Sequence, residues 1–167
     1  MIRLLTQNHV KPSNDLFCLA KLLLRNNNID QWQGEYPNEI DASDDIAHNF
    51  AYGYFIDDKL VGYMALVNEK DPNYDTIEGK WLSDKAYYCI HRLCVDPSYK
   101  GQHIGQQLIE YAITQAKKQG KSLRVDTHED NQTMQALLKK CNFSYCGIIT
   151  LIYDGTKRYA YELNDGK

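Results

Sequence analysis

The chain has 167 residues, enough for one domain with a substantial hydrophobic core and too few for two domains of ordinary size. Its 43% hydrophobic and 25% charged residues are ordinary for a globular soluble protein. The net charge of −3 gives no support to a nucleic-acid partner, and the longest apolar run, near Leu22–Leu24, is far too short to span a membrane. Because Met1–Thr6 is also too short and polar for a signal peptide, we expect a single cytoplasmic domain over residues 1–167, with neither nucleic acid nor membrane as partner.

Apolar periodicity and turn residues predict strands and helices in succession along the chain. Ser13 is a candidate N-cap for the first helix, and Ile46 and Phe50 are expected to face inward from the second. Residues 57–59 read as a hairpin turn and residues 69–84 as a polar loop. The expected elements are strands over 2–6, 51–56, 60–68, 86–95, 122–127, 144–153 and 157–163, and helices over 13–25, 41–50, 104–119 and 131–140.

The resulting order is β-α-α-β-β-β-α-β-α-β-β, without an internal repeat or an interdomain linker. Such an order predicts an α/β layer arrangement with a mixed sheet. No order of elements fixes the chemistry, which has to be sought in particular residues.

The most informative stretch runs from Tyr87 to Ala116. A strand-like segment is followed by the polar loop Lys100–Gly105 and then by a segment whose apolar residues recur at helical spacing. The first N–H groups of a helix have no intrahelical partner and carry partial positive charge, so this arrangement favours an anion such as a phosphate. Glycine in the loop lets the backbone approach that anion closely.

The spacing of the loop excludes two common phosphate motifs. No Gly-Lys-Ser/Thr ends it, and it does not read Gly-x-Gly-x-x-Gly, so a P-loop or a dinucleotide-binding turn is not expected. The loop instead resembles the pyrophosphate loop of the GCN5-related N-acetyltransferases (GNAT), written Arg/Gln-x-x-Gly-x-Gly/Ala. Lys100 stands in place of Arg or Gln, and His103 stands in place of the first glycine.

Two further segments resemble the same family, and all three occur in the family's order. Leu93–Pro97 resembles the strand end that precedes the loop, and Asn131–Phe143 resembles the late motif in which an asparagine is followed by a short helix and x-Gly-Phe. Asn142 stands where that glycine is usual, and asparagine also tolerates a left-handed C-cap. The resemblance implies a mainly antiparallel sheet that splays at its fourth strand, flanked by helices.

The resemblance also implies acetyl-CoA as co-substrate. Its pantetheine arm would lie in the splay, against the backbone of Leu93, Cys94 and Val95, and Asn131 would contact the same arm. Asn131 could equally be an ordinary N-cap. The residues expected at the coenzyme are therefore these four together with the loop and the first helical turn: Lys100, Gly101, Gln102, His103, Ile104, Gly105 and Gln106.

For the general base we single out His91. The reference pKa of histidine, about 6.5, suits proton transfer near neutrality. Strand alternation predicts that His91 shares a face with Cys89, Leu93 and Val95. Some relatives carry a histidine four residues before the same valine. The alternative is a histidine that packs on a crowded strand for structural reasons.

The general acid has no clear candidate. Many relatives use a tyrosine seven residues after the late-motif asparagine, and here that position is Leu138. Tyr145 and Tyr153 are alternatives, and so is protonation of the leaving thiolate by solvent or by the product ammonium.

On the acceptor side, the family resemblance implies that the loop between the first two helices covers the site. Trp32 and Tyr36 could form an apolar wall there, with cation–π contact to an amine, or could plug the core. His128 could line the same site from a strand end, or belong to a solvated loop.

Five cysteines without a Cys-x-x-Cys pair indicate reduced, buried thiols rather than disulfides or a zinc site, with Cys89 and Cys94 left open as nucleophiles. We expect no metal, because His9, His48 and His103 form no cluster with nearby carboxylates.

Together these features predict an N-acetyltransferase that moves an acetyl group from acetyl-CoA to a primary amine of a small molecule or a protein, through a ternary complex. The alternative is a non-catalytic module that binds or senses acyl-CoA. The C-terminal strands could pair across a homodimer.

Overall fold

The structure is a computed structural model and describes residues 1–164. Its regular elements follow the predicted order, with one additional strand of two residues. The strands are β1 Ile2–Leu4, β2 Ala51–Ile56, β3 Lys59–Val67, β4 Glu78–Gly79, β5 Tyr87–Val95, β6 Ser122–Thr127, β7 Phe143–Thr150 and β8 Lys157–Leu163. The helices are α1 Val10–Asn26, α2 Glu39–Ala47, α3 Ile104–Lys118 and α4 Gln132–Lys140.

The strands form one sheet in the order β1-β2-β3-β5-β6-β8-β7-β4. Strands β5 and β6 run parallel, whereas β1–β2, β2–β3, β6–β8, β7–β8 and β4–β7 are antiparallel. The parallel pairing joins Tyr87–Ile90 to Ser122–Val125 and ends there, although both strands continue. The predicted mixed, mainly antiparallel sheet is confirmed, and β5 is the fourth strand of the prediction, at which the splay is expected.

The chain divides into two compact units. The first consists of residues 1–66 and 91–108, and the second of residues 67–90 and those from Ile109 onward. Strand β5 contributes its first four residues to the second unit and its last five to the first. A single domain over residues 1–167 stays a prediction.

In the first unit, the core lies where β3 packs against α1 and the start of α3. Residues 60–66 of β3 are all buried, and Tyr63 makes an edge contact with Phe17 of α1 at a ring distance of 4.8 Å. Gly62 brings the start of α3 close, since a methyl group there would lie 3.0 Å from Ile104 Cγ2 and 3.2 Å from Leu108 Cδ1. The glycine therefore sets how near the first turn of α3 comes to β3.

In the second unit, an apolar cluster lies beside a buried ion pair that the sequence did not indicate. Tyr74, Tyr87 and Cys89 belong to the apolar cluster. Arg124 Nε donates to Glu162 Oε1 at 2.8 Å, and both side chains are buried. The Arg124 guanidinium also lies 4.2 Å from the ring centres of Trp81 and Tyr87.

Helices α1 and α2 differ most from the prediction, each at both ends. Helix α1 begins at Val10, after a 3-10 turn over Gln7–His9, so Ser13 is not its N-cap; its hydroxyl is buried without a hydrogen-bond partner among the described residues. Helix α2 is capped by Asn38, whose side chain accepts from the Ile40 N–H at 2.9 Å. Its last residue is Ala47, so Phe50 lies outside the helix, although Ile46 is buried as expected.

Strand β7 ends at Thr150 rather than at residue 153, and Asn142 before it has the left-handed φ of +70° that its place in the late motif predicted. Strand β8 is paired on both sides, by β6 and β7. Strand β7 is itself paired with β8 and, at Gly147 and Ile148, with β4. A homodimer that pairs the C-terminal strands stays a prediction. Among residues 1–164, no helix combines the length and apolar character that a membrane crossing requires.

Candidate active site

The end of β5 is anchored before the loop begins. The Asp96 N–H donates to the Val61 carbonyl of β3 at 2.8 Å, and its carboxylate accepts from the Ser98 N–H at 2.9 Å. Lys59 lies 3.6 Å from the same carboxylate, which is buried. The strand therefore passes into the loop from a fixed position.

The loop turns through two left-handed residues. Gly101 has a φ of +88° and His103 a φ of +58°. The His103 carbonyl accepts from the Gln107 N–H at 3.0 Å, so the N–H groups of Ile104 and Gly105 precede the first hydrogen bond of the α3 ladder. The predicted strand–loop–helix arrangement is confirmed, and it has the geometry that favours an anion.

A side chain just beyond the predicted site residues holds this loop. Gln107 Nε2 donates to the carbonyls of Gln102 and His103 at 3.2 and 3.3 Å. Its Oε1 accepts from the Tyr54 hydroxyl of β2 at 2.9 Å. These bonds occupy two loop carbonyls, which would otherwise repel an anion. Sequence reasoning ended at Gln106 and missed both side chains.

Strand β5 contains a left-handed residue, Arg92, with a φ of +56°. Regular alternation, on which the prediction for His91 and its neighbours depends, is interrupted at this residue. Leu93 and Val95 are half-buried and Cys94 is buried. Burial raises the pKa of the Cys94 thiol to about 12.

Arg92 is also the centre of a polar network in the first unit. Its guanidinium donates to both carboxylate oxygens of Asp45, at 2.6 and 2.7 Å, and to the Tyr36 hydroxyl at 2.8 Å. The Tyr63 hydroxyl donates to Asp45 at 2.5 Å. Burial opposes the charge of Arg92, but Tyr36 and Asp45 outweigh it and raise the pKa of the guanidinium.

Asp45 was missed by sequence reasoning, although a signal was present. On α2 it occupies one face with Ala42 and Ile46, and all three are buried. A carboxylate at a core position needs a partner, so an aspartate in this apolar pattern indicates a buried cation nearby.

The two aromatic residues predicted for the acceptor side differ in their surroundings. Trp32 is half-buried and left-handed, with a φ of +60°, whereas the Tyr36 side chain is 38% exposed and bonded to Arg92. Lys21 of α1 holds the same loop, because its ammonium donates to the carbonyls of Gly34 and Glu35. Tyr36 is therefore not a core plug.

His91 immediately precedes the network and is half-buried. Its position between Ile90, where the parallel pairing ends, and Arg92, where the strand turns, is consistent with either role considered for it.

The remaining predicted residues lie in the second unit. Asn131 caps α4, since its side chain accepts from the Met134 N–H at 3.2 Å, which confirms the N-cap interpretation. His128 Nδ1 accepts from the Asp130 N–H at 3.0 Å, and its side chain is only 11% exposed. The His128 side chain is therefore mostly covered, whereas Glu129 and Asp130 after it are exposed.

The structure gives little support to the tyrosines considered as general acid or to the cysteines considered as nucleophile. Tyr145 and Tyr153 are 52% and 71% exposed, and Leu138, where relatives carry a tyrosine, is buried. All five cysteines are free, and only Cys18 is exposed. Burial, together with Asp71 and Asp126, raises the pKa of Cys89, so neither Cys89 nor Cys94 is primed as a thiolate nucleophile.

Residues 19–143 match the family model described as the acetyltransferase (GNAT) family. The chain belongs to the GNAT family. The GNAT acetyltransferase from Streptococcus agalactiae is 34% identical, with a TM-score of 0.85, over 100% of this chain and 96% of that one. An acetyltransferase from Staphylococcus aureus Mu50, described as putative, is 26% identical, with a TM-score of 0.75, over 98% of both chains.

A third structure is PaiA N-acetyltransferase from Thermoplasma acidophilum in complex with coenzyme A. It is 19% identical, with a TM-score of 0.71, over 98% of each chain, and at that identity the likeness shows the fold alone. No curated protein matches the chain. Membership of the GNAT family supports acyl transfer in general and leaves the acceptor unassigned.

Proposed function

We propose that this GNAT protein transfers an acetyl group from acetyl-CoA to a primary amine within a ternary complex. The observation that carries the proposal is the loop after β5, where left-handed residues at 101 and 103 lead into the first N–H groups of α3, which precede its hydrogen-bond ladder. Helix N-termini of this kind bind phosphate groups.

The residues of the loop fit a diphosphate. A side chain built on Gly101 would meet nothing within 4 Å, so the backbone there is open to a ligand. Ile104 and Gly105 offer N–H groups, Lys100 offers a positive charge, and Gln102, His103 and Gln106 complete the proposed phosphate site. Lysine supplies a point charge rather than the planar fork of arginine.

Bound acetyl-CoA would supply the reactive thioester. The residues of the chain would position it against the amine and transfer protons. We assign the pantetheine arm to the backbone of Leu93, Cys94 and Val95 and to Asn131. A backbone N–H near Cys94 would stabilise the charge that develops on the acyl oxygen. His91 would remove the proton from the amine, directly or through water. The leaving thiolate would take its proton from solvent or from the attacking nitrogen, which is positively charged until the amide forms.

On the acceptor side, Trp32, Tyr36 and His128 are the residues we assign to the amine. Holding the amine against the thioester supplies a large part of the rate enhancement. The proposed reaction uses no metal, because none of these steps needs one. We also propose that the protein is cytoplasmic.

Calorimetric titration with acetyl-CoA and with CoA, paired with thiol release over an amine panel, tests this function. The panel contains phenethylamine, 1,4-diaminobutane, glucosamine and peptides with a free lysine or α-amino group. Binding with thiol release supports the proposal, and intersecting initial-velocity lines support the ternary complex. Binding without release favours the sensing module, whereas no binding overturns the coenzyme site.

A pair of glycine variants makes this test specific to the loop. Gly101→Val and Gly155→Val both place a branched side chain at a left-handed φ, +88° and +73°, with open space around it. Gly155 lies in the turn between β7 and β8, so only Gly101→Val is expected to weaken acetyl-CoA binding. Equal losses in both variants would reflect general destabilisation.

A further inference from the structure

Arg92 is held in an unfavourable backbone conformation at the centre of the first unit. Its φ of +56° lies in the left-handed region, which is energetically unfavourable for any residue with a Cβ atom. Such residues persist where the surrounding structure over-determines them, and they cluster at functional sites.

Three hydrogen bonds fix the Arg92 guanidinium in place. Two go to Asp45 in a bidentate arrangement at 2.6 and 2.7 Å, and the third goes to the Tyr36 hydroxyl at 2.8 Å. Asp45 is itself fixed by the Tyr63 hydroxyl at 2.5 Å. Bidentate pairs between arginine and carboxylate set orientation as well as adding energy.

The network joins three elements whose relative position matters for the proposed reaction. Tyr36 belongs to the loop over residues 27–38, which we call the α1–α2 loop, and Asp45 belongs to α2. Arg92 lies in β5, directly between His91 and Leu93. One guanidinium therefore ties the proposed amine-binding loop to the strand that carries the proposed base.

A purely stabilising role would not require Tyr36. The buried pair of Arg92 and Asp45 is complete without the tyrosine, which is 38% exposed and lies at the edge of the network. The third hydrogen bond adds a second attachment of the α1–α2 loop, which Lys21 already holds at Gly34 and Glu35, and this attachment leads to β5.

We propose that Arg92 is a positioning residue, which sets the place of the α1–α2 loop relative to His91 through Tyr36 and Asp45. The proposal rests on the proposed function, since it concerns the amine side of that same reaction. It assigns no contact between Arg92 and the reacting atoms.

Two conservative variants test the positioning role. Tyr36→Phe removes one hydroxyl and keeps the ion pair. Arg92→Lys keeps the charge beside Asp45 but cannot bond both Asp45 oxygens and Tyr36 at once. We expect each to raise KM for the best amine of the panel by about tenfold, the effect of losing one charge-assisted hydrogen bond. The Kd for acetyl-CoA should stay within about twofold, because the phosphate loop is untouched.

Matched controls separate this effect from general destabilisation. Arg3→Lys alters an arginine in the same unit, whose pair with Asp58 is exposed and 4.0 Å long. Tyr88→Phe removes a hydroxyl from β5 away from the network. Both should keep KM for the amine, and melting temperatures should be recorded for all four variants.

The outcomes are distinct. A raised KM for the amine in both variants, with unchanged acetyl-CoA binding, supports the positioning role. A raised KM in Tyr36→Phe alone would reflect direct contact between Tyr36 and the amine and would overturn it. An unchanged KM in both Tyr36→Phe and Arg92→Lys, even with a lower melting temperature, makes the network structural and overturns it. If the wild-type protein binds acetyl-CoA but acetylates no amine, the proposed function itself fails, and the positioning role fails with it.

Discussion

Tyr54 and Gln107 are joined by a hydrogen bond of 2.9 Å from the tyrosine hydroxyl to the side-chain oxygen of the glutamine. The bond fixes which end of the Gln107 amide faces the loop, so that its NH₂ group meets the carbonyls of Gln102 and His103. A residue on β2 thereby orients the polar groups of the loop proposed to bind phosphate.

Replacing Gln107 should weaken coenzyme binding through this orientation. Gln107→Met leaves the two carbonyls without their donor, and we expect a Kd for CoA about tenfold weaker, measured by calorimetry. Tyr54→Phe should have a smaller effect of the same sign. Gln115→Met, further along the same helix, is the control, and an equal loss there would contradict the orienting role.

Replacing His103 by glycine should not harm the loop. His103 keeps the left-handed conformation at a cost of about 1 kcal/mol relative to glycine, so His103→Gly should raise stability by about that amount. We expect CoA binding to be equal or tighter. His103→Ala retains the conformational cost and serves as the control. Weaker binding in both variants would instead show that the imidazole contacts the ligand.

Removing His91 should affect the rate rather than coenzyme binding. For His91→Ala we expect kcat/KM to fall about 100-fold, the lower range for loss of a general base. The acidic limb of the pH profile, where the wild-type base is protonated, should disappear. His48→Ala alters an exposed histidine and is the control. An unchanged rate and profile would leave His91 with a structural role only.

The buried thiols should resist alkylation. Burial raises the pKa of Cys94 to about 12 and also raises that of Cys89, so both remain protonated and inaccessible at pH 8. Iodoacetamide followed by peptide mass spectrometry should therefore label the exposed Cys18 first. Labelling of Cys94 in the folded protein as fast as Cys18 would contradict this expectation.

Alkaline pH should destabilise the fold through the same thiol. Since the folded pKa of Cys94, about 12, lies above its ordinary value of 9.0, the folded state binds the proton more tightly than the unfolded chain. The stabilisation is complete below about pH 9 and is lost as pH rises toward 12, by at most about 1.4 kcal/mol per pH unit. Denaturant unfolding should show a shallower decline for Cys94→Ala than for the wild type.

The residues that sequence reasoning recovered are those that follow from local rules. The loop after β5, the left-handed Asn142 and the cap at Asn131 all depend on neighbours in the chain. Their conformations are set by sterics and by the unsatisfied groups of helix ends, which a short segment reveals.

The residues it missed act across long separations. Asp45 and Arg92 are 47 positions apart, and Tyr54 and Gln107 are 53 apart, so no local pattern pairs them. The left-handed turn at Arg92 was unexpected because arginine has no preference for it and only the completed network supports it. The start of α1 had a local signal, since Pro12 suits a first helical turn and indicates a start before Ser13.

The two tryptophans of the chain, Trp32 and Trp81, fall in different compact units. Trp81 packs against the Arg124 guanidinium, whereas Trp32 lies in the α1–α2 loop. In a variant that retains only one of the two tryptophans, the tryptophan fluorescence would therefore come from one unit alone. Fluorescence from such a pair would report whether the two units unfold at the same denaturant concentration, and would follow the α1–α2 loop when an amine is added.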